Sequence, residues 1–316
     1  MMSDYSIAKL RQEFKDRGGF YTPPELALFL RTLIPGEPGR VYDPTCGRGN
    51  LLSVFGDDVA KYGQDIDPAA VEDAGKALVN FTGAVGDLFT DPHWVDERFD
   101  AIVANPPFSI EWEPITDERF ENAPTVPTKS RADFAFLLHI LHMLAEGGTA
   151  AVLSFPGVLY RGGREGKIRQ WLVEQNVIDQ VISIPGDTFT DTAISTACIV
   201  LKKGRESTGI RFVDNEHEIE RVAPLEEVAS NGYTLSVSAY VQPDEPEAKH
   251  IDAIELENQA RLNALRKIRA EIEMSILVAE LEGLSVFGFL DSIDDLVDEF
   301  RVTRIRQQSL PLGGAA

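Results

Sequence analysis

The sequence predicts an α/β fold: a mostly parallel sheet of seven strands with helices on both faces, followed by a C-terminal α-helical region. Three observations carry this expectation. Short apolar runs alternate along the chain with helical stretches, the signature of strands joined by crossover helices. Several runs are apolar on consecutive residues, as in Ala101-Ile102-Val103-Ala104, which suits strands buried on both faces. The last two runs are separated only by Pro185 to Thr196, a segment rich in turn formers. A parallel crossover needs a dozen or more residues and usually a helix, so the last strand pair is expected to be antiparallel.

Taken in order, residues 1–18 read as a short helical lead and residues 19–241 as the main domain. The first strand, Arg40 to Asp43, runs into Asp43-Pro44-Thr45-Cys46-Gly47-Arg48-Gly49-Asn50, an acid followed by a two-glycine loop. Gly47 and Gly49 let the backbone pass close to a ligand, and Asp43 can receive an ammonium group. No Lys-Ser/Thr pair follows, so a phosphate cradle is disfavoured. A plain tight turn is the competing reading. The second strand, Lys61 to Asp65, ends in Asp65-Ile66-Asp67-Pro68. An acid about 20 residues after a glycine loop is placed to accept from ribose hydroxyls. Asp65 is the candidate, with Ile66 flanking an adenine ring, while Asp67 ahead of Pro68 reads as a helix N-cap. The third strand, Gly83 to Val85, leads into Gly86-Asp87-Leu88-Phe89, where Asp87 can accept from an adenine amine and Leu88 or Phe89 can pack on its face.

The fourth strand, Phe99 to Ala104, ends at Asn105-Pro106-Pro107-Phe108. Pro106 and Pro107 lack amide hydrogens, and each biases the preceding residue toward extended geometry. Carbonyls there are free to face a cleft. A planar amine is a poor nucleophile because its lone pair is delocalised; Asn105 Oδ1 and the Pro106 carbonyl can accept its two hydrogens and localise that pair. Phe108 can stack on the ring, a contact worth about 1 to 3 kcal/mol. A stiff strand-ending turn is the alternative. The remaining strands are Gly148 to Phe155, Val177 to Ile184 and Ala197 to Lys203.

Composition narrows the function classes. The longest apolar stretch, around Phe134 to Ala145, is interrupted by His139 and His142 and falls short of the roughly 20 residues that cross a bilayer. No membrane association is expected. The two cysteines, Cys46 and Cys198, have no metal-ligand spacing, so no metal site is expected; with no secretory segment, a reduced, cytoplasmic setting follows. The 51 acidic residues outnumber the 30 basic ones, a formal charge of −21. A chain that gripped nucleic acid alone would carry a basic surface, so any such substrate would need a partner to hold it.

The motif order resembles the γ-type N6-adenine DNA methyltransferases. It runs Phe20-Tyr21-Thr22-Pro23, then Asp43 to Gly49, Asp65 to Asp67, Gly86 to Phe89 and Asn105 to Phe108. Ala132 to Phe136, Gly157 to Gly163 with Glu165 and Ile168-Arg169, Val177 to Asp179, and Asn231 to Ser236 narrow the resemblance to modification (HsdM) subunits of type I restriction-modification systems. The resemblance covers about residues 18–241. It implies a class I S-adenosylmethionine-dependent methyltransferase fold, Rossmann-like, and S-adenosyl-L-methionine as cofactor. Phe20, Tyr21, Thr22 and Pro23 would close the pocket over the methionine; Asp43 and the loop through Pro44, Thr45, Cys46, Gly47, Gly49 and Asn50 would meet methionine and sugar. Asp65 would take the ribose and Asp87 the adenine. Asn105, Pro106, Pro107 and Phe108 would form the amine site, which also borders the cofactor through Asn105, with Phe189 a second flanking aromatic.

The implied partners are DNA, reached through a specificity subunit, a second modification subunit and a restriction subunit. Only 19 residues precede Phe20, where modification subunits carry a longer helical domain. Arg48 and Asn50 stand where small residues are common. After Val241, a Pro/Glu linker leads to a stretch with Leu262, Leu265, Ile268, Ile272 and Ile276 near one helical face, and then a further short helix around Phe287 to Phe300. Residues 242–316 therefore read as a linker and a partner-docking region. Other readings are methylation of protein glutamine or RNA adenine, and a non-catalytic cofactor-binding scaffold.

Overall fold

The computed structural model describes residues 22–186, 195–242 and 253–281. The chain divides into two compact units, Met1–Asp244 and Glu245–Ala316. The expected short helices at residues 1–18 and 287–300 lie outside the described residues, as do Phe20, Tyr21 and Phe189.

The first unit begins with α1 (Pro24–Thr32) and β1 (Arg40–Asp43), then β2 (Ala60–Asp65), α2 (Pro68–Ala77), β3 (Phe81–Val85) and β4 (Phe99–Ala104). A single helical turn, α3 (Glu118–Glu121), precedes α4 (Asp133–Met143) and β5 (Leu144–Ser154). Next come α5 (Gly163–Glu174), β6 (Ile178–Ile184), β7 (Thr196–Lys202), β8 (Gly209–Asp214), β9 (Ile219–Pro224) and α6 (Leu225–Ser230). One sheet holds all nine strands in the order β3-β2-β1-β4-β5-β7-β6-β8-β9. The seven expected strands are present, β1 to β6 running parallel. β7 is antiparallel to both β5 and β6, as the short Pro185–Thr196 connection requires.

The seven-strand expectation is corrected to nine. β8 pairs with β6 in parallel, and β9 turns back on β8 as the edge strand. Both escaped the sequence reading because they bury little: Ile210 and Phe212 face inward from β8, but only Ala223 is buried on β9. Charged Arg211, Glu220 and Arg221 on such an edge resist strand addition by another chain.

Two apolar clusters lie on the two faces of the sheet. Along β4, Ile102 and Ala104 belong to one, while Ala101 and Val103 belong to the other. This is why the central strands read as continuous apolar runs. α4 is buried at ten of its eleven residues, so its apolar character all round the helix follows from its place in the core. His139 sits on it fully buried, and burial holds its imidazole well below its usual pKa. It is a packed, neutral histidine. The second unit contains α7 (Ala253–Leu281), where Leu262, Leu265, Ile268 and Met274 are each more than half exposed.

Candidate functional site

Because β3, β2, β1 and β4 are parallel neighbours, their carboxyl ends share one edge of the sheet. Strand order reverses between β1 and β4, the place where open α/β sheets leave a crevice for ligands. The loops carrying Asp43, Asp65, Asp87 and Asn105 all leave the sheet here. Sequence spacing alone could not have brought the four together; the parallel topology does.

The glycine loop is built by internal hydrogen bonds. Asp43 Oδ1 accepts from the Thr45 amide at 3.0 Å, and Asp65 Oδ2 accepts from the Gly47 amide at 2.8 Å. The Cys46 amide donates to the Gln64 carbonyl, stitching the loop to β2. Gly49 has φ +84°, and a Cβ there would stand 2.5 Å from Leu78 Cδ1, so both conformation and space demand glycine. Pro44 and Cys46 are buried within the turn; burial pushes the Cys46 thiol up, which makes it a small packing residue with little thiolate character. Arg48 turns outward toward Asp73 at 3.4 Å. Asn50 also turns away from the loop: its Nδ2 donates to the Thr22 carbonyl at 3.0 Å.

Asp43 is buried without an ion-pair partner among the described residues, and its pKa rises to about 8. Burial is the main cause, with the charge of Asp65 adding to it. Such an acid is poised to ionise when a cation arrives. The Thr45 hydroxyl is buried beside this carboxyl and partly offsets the rise. A buried acid without a cation in a glycine loop is the group an ammonium would satisfy.

Asp65 stands where an acid for ribose was expected, but it has a second task. Besides Gly47, it accepts from the Asp67 amide through Oδ1 at 3.0 Å, leaving one further lone-pair direction on each oxygen for a ligand. Ile66 beside it is an apolar side chain 69% exposed. Asp67 caps α2 through the Ala69 amide, with Pro68 at the first helical position. Asp87 Oδ1 accepts from the Phe89 and Thr90 amides and shapes its own turn. Of the two residues offered for ring packing there, Leu88 is buried in the core and Phe89 packs against Trp112 and Phe136. Phe89 is a core residue.

At the end of β4, Asn105 Nδ2 donates to Thr22 Oγ1 at 3.2 Å. With its amide nitrogen so engaged, Asn105 keeps Oδ1 as an acceptor. Pro106 is buried, and no described residue donates to its carbonyl. Phe108 is half-buried against the cluster that includes Val103 and Leu153. Thr22 itself is 6% exposed and Pro23 is buried ahead of α1. The structure thus brings Thr22, Asn50 and Asn105 into one chain of hydrogen bonds that joins the glycine loop to the amine-acceptor turn.

Two supporting groups were given no role by the sequence reading, although Asp133 lies in the Ala132 to Phe136 segment that carries part of the resemblance. Arg119, from the polar segment after Phe108, is buried and donates to the carbonyls of Leu88 and Phe89 and to both oxygens of Asp117, with His139 Nδ1 at 3.2 Å. It holds the loop after β3 in place. Asp133, at the first position of α4, accepts from the Ser109 amide at 3.1 Å; Ser109 follows Phe108 and has φ +52°, unusual for a residue with a side chain. An isolated arginine in a polar loop has no spacing that would announce its role, and the segment around Asp133 marks the family without showing that its acid holds Ser109.

Comparison with known proteins shows the family. The sequence profile described as N-6 DNA Methylase matches residues 2–223. The chain is 31% identical to the type I restriction enzyme MpnII methylase subunit of Mycoplasma pneumoniae, an alignment covering 92% of this chain and 59% of that protein. It is 28% identical to the HindI methylase subunit of Haemophilus influenzae, over 67% of this chain and 52% of the relative. Among solved structures it resembles the type I restriction-modification system methyltransferase subunit from Streptococcus thermophilus, with a TM-score of 0.66 and 29% identity, covering 71% of this chain and 59% of that one. The chain therefore spans little more than half the length of these relatives. With the profile covering most of its first unit, the chain belongs to the N-6 DNA methylase family.

Proposed function

We propose that this chain transfers a methyl group from S-adenosyl-L-methionine to the N6 amine of adenine in DNA, as the modification subunit of a type I restriction-modification complex. The observation that carries this reading is the place of Asn105: it ends β4 at the edge of the sheet where the loops of Asp43, Asp65 and Asp87 also emerge, and its side chain is held by Thr22 beside the Pro106 carbonyl, to which no described residue donates. Two acceptors on a proline-stiffened turn suit an amine with two hydrogens to give.

S-adenosyl-L-methionine fits the residues present, and when bound it supplies the electrophilic methyl group. Asp43 would hold its ammonium, Thr45 Oγ1 and the loop from Pro44 to Asn50 its methionine and sugar, Asp65 the ribose hydroxyls, and Ile66 and Asp87 the adenine. Thr22 and Pro23, with Phe20 and Tyr21, would lie over the methionine. Asn105 Oδ1 and the Pro106 carbonyl accept the hydrogens of the substrate amine and draw its lone pair out of the ring. They act as fixed dipoles where positive charge develops on nitrogen, and neither takes up a proton. Pro107 keeps the turn rigid, and Phe108 stacks on the base; Phe189, the second aromatic the resemblance implies, lies outside the described residues. Extrusion of the adenine costs a few kcal/mol, which partner contacts must supply.

A net charge of −21 supports delegation of sequence reading to a specificity subunit. The exposed apolar residues of α7 support residues 242–316 as the surface it docks on. A second modification subunit and a restriction subunit complete the proposed assembly, in a cytoplasmic setting. No helix among the described residues is long and apolar enough to cross a membrane.

The test is transfer of labelled methyl from S-adenosyl-L-methionine to DNA, with and without the products of neighbouring genes. Partner-dependent label on adenine, lost by about 100-fold or more in Asn105→Ala, is the expected result, since removing one such acceptor costs about that much. Label on protein or RNA instead would overturn the reading.

A further inference from the structure

Although the chain as a whole is strongly acidic, one surface beside the amine-acceptor turn is not. Arg131 and Arg161 converge on the buried Glu165, at 3.8 and 3.7 Å, and Arg161 also lies 3.9 Å from Asp133 Oδ2. The other oxygen of Asp133 accepts from the amide of Ser109, so Arg161 is one carboxylate removed from the residue after Phe108. These ion pairs are too long to be hydrogen bonds. Arg161 Nη1 has no hydrogen-bond partner, and among the described residues no side-chain hydrogen bond is made by Arg131, Arg161, Arg164 or Lys167. The structural arginines of the fold behave differently: Arg119, Arg169 and Arg205 each donate to two or more carbonyls.

The acids that hold this surface are buried and the cations are outermost. Glu165 is 3% exposed and Asp133 7%, whereas Arg131, Arg164 and Lys167 are exposed and Tyr160 is 60% exposed. The Arg161 guanidinium lies 5.2 Å from the Phe155 ring centroid, and a Cβ on Gly157 would meet it at 2.6 Å, so glycine is what lets it lie there. α5 begins after Gly162 without a side-chain cap, so no side chain at the cap position accepts from its first amides. Arg164 sits in its first turn, where the helix dipole disfavours a cation, and Lys167 follows in the second. Exposed cations at a helix start with no salt bridge of their own suit an anionic ligand.

This surface lies at the functional edge of the sheet. β5 ends at Ser154 beside β4, which ends at Ala104, so the segments carrying Tyr160 to Lys167 and Asn105 to Phe108 leave the same side. We infer that Arg131, Arg161, Arg164 and Lys167, with the uncapped start of α5, bind the DNA backbone phosphates flanking the extruded base, Tyr160 packing on the exposed sugar or neighbouring base. The chain then grips the strand at its own active site, while the partner reads sequence elsewhere. This inference rests on the proposed function, but its test does not.

The complete complex, reconstituted with its partner subunits, is titrated with duplex DNA at several salt concentrations, comparing wild type with the Arg164→Gln/Lys167→Gln double variant. Both side chains are solvent-exposed, so folding is preserved and cofactor affinity measured without DNA stays at the wild-type value. The double variant is expected to lose affinity by about tenfold per phosphate contact at 0.1 M salt, with the slope of log K against log salt shallower by about 0.9 for each. The loss should be uniform across DNA sequences. An unchanged slope overturns the inference, as does a variant that fails to assemble with its partners yet keeps the wild-type slope in the assembled fraction, which marks an acidic protein face as the ligand. Salt-dependent DNA binding without methyl transfer by wild type sinks the proposed function and leaves this surface standing. Methyl transfer with an unchanged slope does the reverse, and absence of DNA binding by wild type overturns both.

Discussion

Asp43 shows how one residue can be unfavourable for the fold and favourable for a ligand. Its carboxyl is buried, accepts one backbone hydrogen bond, and has the charge of Asp65 nearby. Its pKa in the folded chain is about 8 against an ordinary 3.8, so between these values the folded protein carries a proton that the unfolded one has released. Stability attributable to this group is therefore complete below about pH 4, falls as pH rises through that window, and is lost above about 8. An asparagine side chain at this position would keep the oxygen that accepts from the Thr45 amide and has no proton to lose. Asp43→Asn is expected to raise the melting temperature of the cofactor-free protein by more at pH 8 than at pH 5, while weakening S-adenosyl-L-methionine binding by about tenfold or more through loss of a charge-assisted bond. Calorimetry at the two pH values checks both; an equal melting gain at both would mean that Asp43 is already ionised. Thr22 works at the same scale with the opposite balance. Its carbonyl takes Asn50 and its hydroxyl takes Asn105, so one buried threonine sets the geometry of the glycine loop and of the turn after β4 together.

At the scale of elements, the loop after β3 and the segment after β4 are held to one another by Arg119. Its guanidinium is fully buried and occupied by two carbonyls and the Asp117 carboxylate, whose pKa is lowered chiefly by that side-chain bond. Arg119→Ala leaves the Leu88 and Phe89 carbonyls without a donor beside a partly buried acid, and is expected to cost about 3 to 5 kcal/mol in denaturant unfolding. Because Asp87 is anchored on the same loop, cofactor affinity should fall with it; a loss below about 1 kcal/mol would show the loop to be held by its own turn bonds. The reach of sequence reasoning follows from the same distinction. β1, β4 and β5 were legible because burial on both faces leaves unbroken apolar runs, and the Asp67 cap because its bonds are local. β8 and β9 were missed because an edge hairpin buries only a few side chains. Arg119 and the Thr22–Asn105 bond were missed because their partners lie 30 and 83 positions away, where no local pattern links them. The acids at three successive strand ends read as separate turns from local pattern and as one pocket only through the family resemblance; the parallel order of the strands is the physical reason they share one edge of the sheet.

For the whole molecule, the question is which parts of the function belong to which unit. Every residue of the two apolar clusters falls between Leu26 and Val241, within the first unit, and so do the described site residues from Thr22 to Phe108. The last contributors, Val237, Tyr240 and Val241, close one cluster, with the Tyr240 ring stacked on Phe212 at 3.9 Å and its hydroxyl donating to the Thr234 carbonyl. A chain cut before Leu235 should therefore lose stability, whereas one ending at Asp244 keeps every buried side chain of both clusters. The apolar positions of α7 belong to the second unit, and Leu262, Leu265 and Ile268 recur at the three-residue spacing of a helix face suited to a partner helix. The chain ending at Asp244 is expected to melt within a few degrees of the full chain and to bind S-adenosyl-L-methionine with a dissociation constant within about twofold, because the cofactor loops and their supports are all retained. Its partner-dependent methyl transfer to DNA should be lost, together with co-elution with the specificity subunit. Retained co-elution would move the docking surface into the first unit, and loss of cofactor binding would show that residues 245–316 complete the pocket rather than serve a partner.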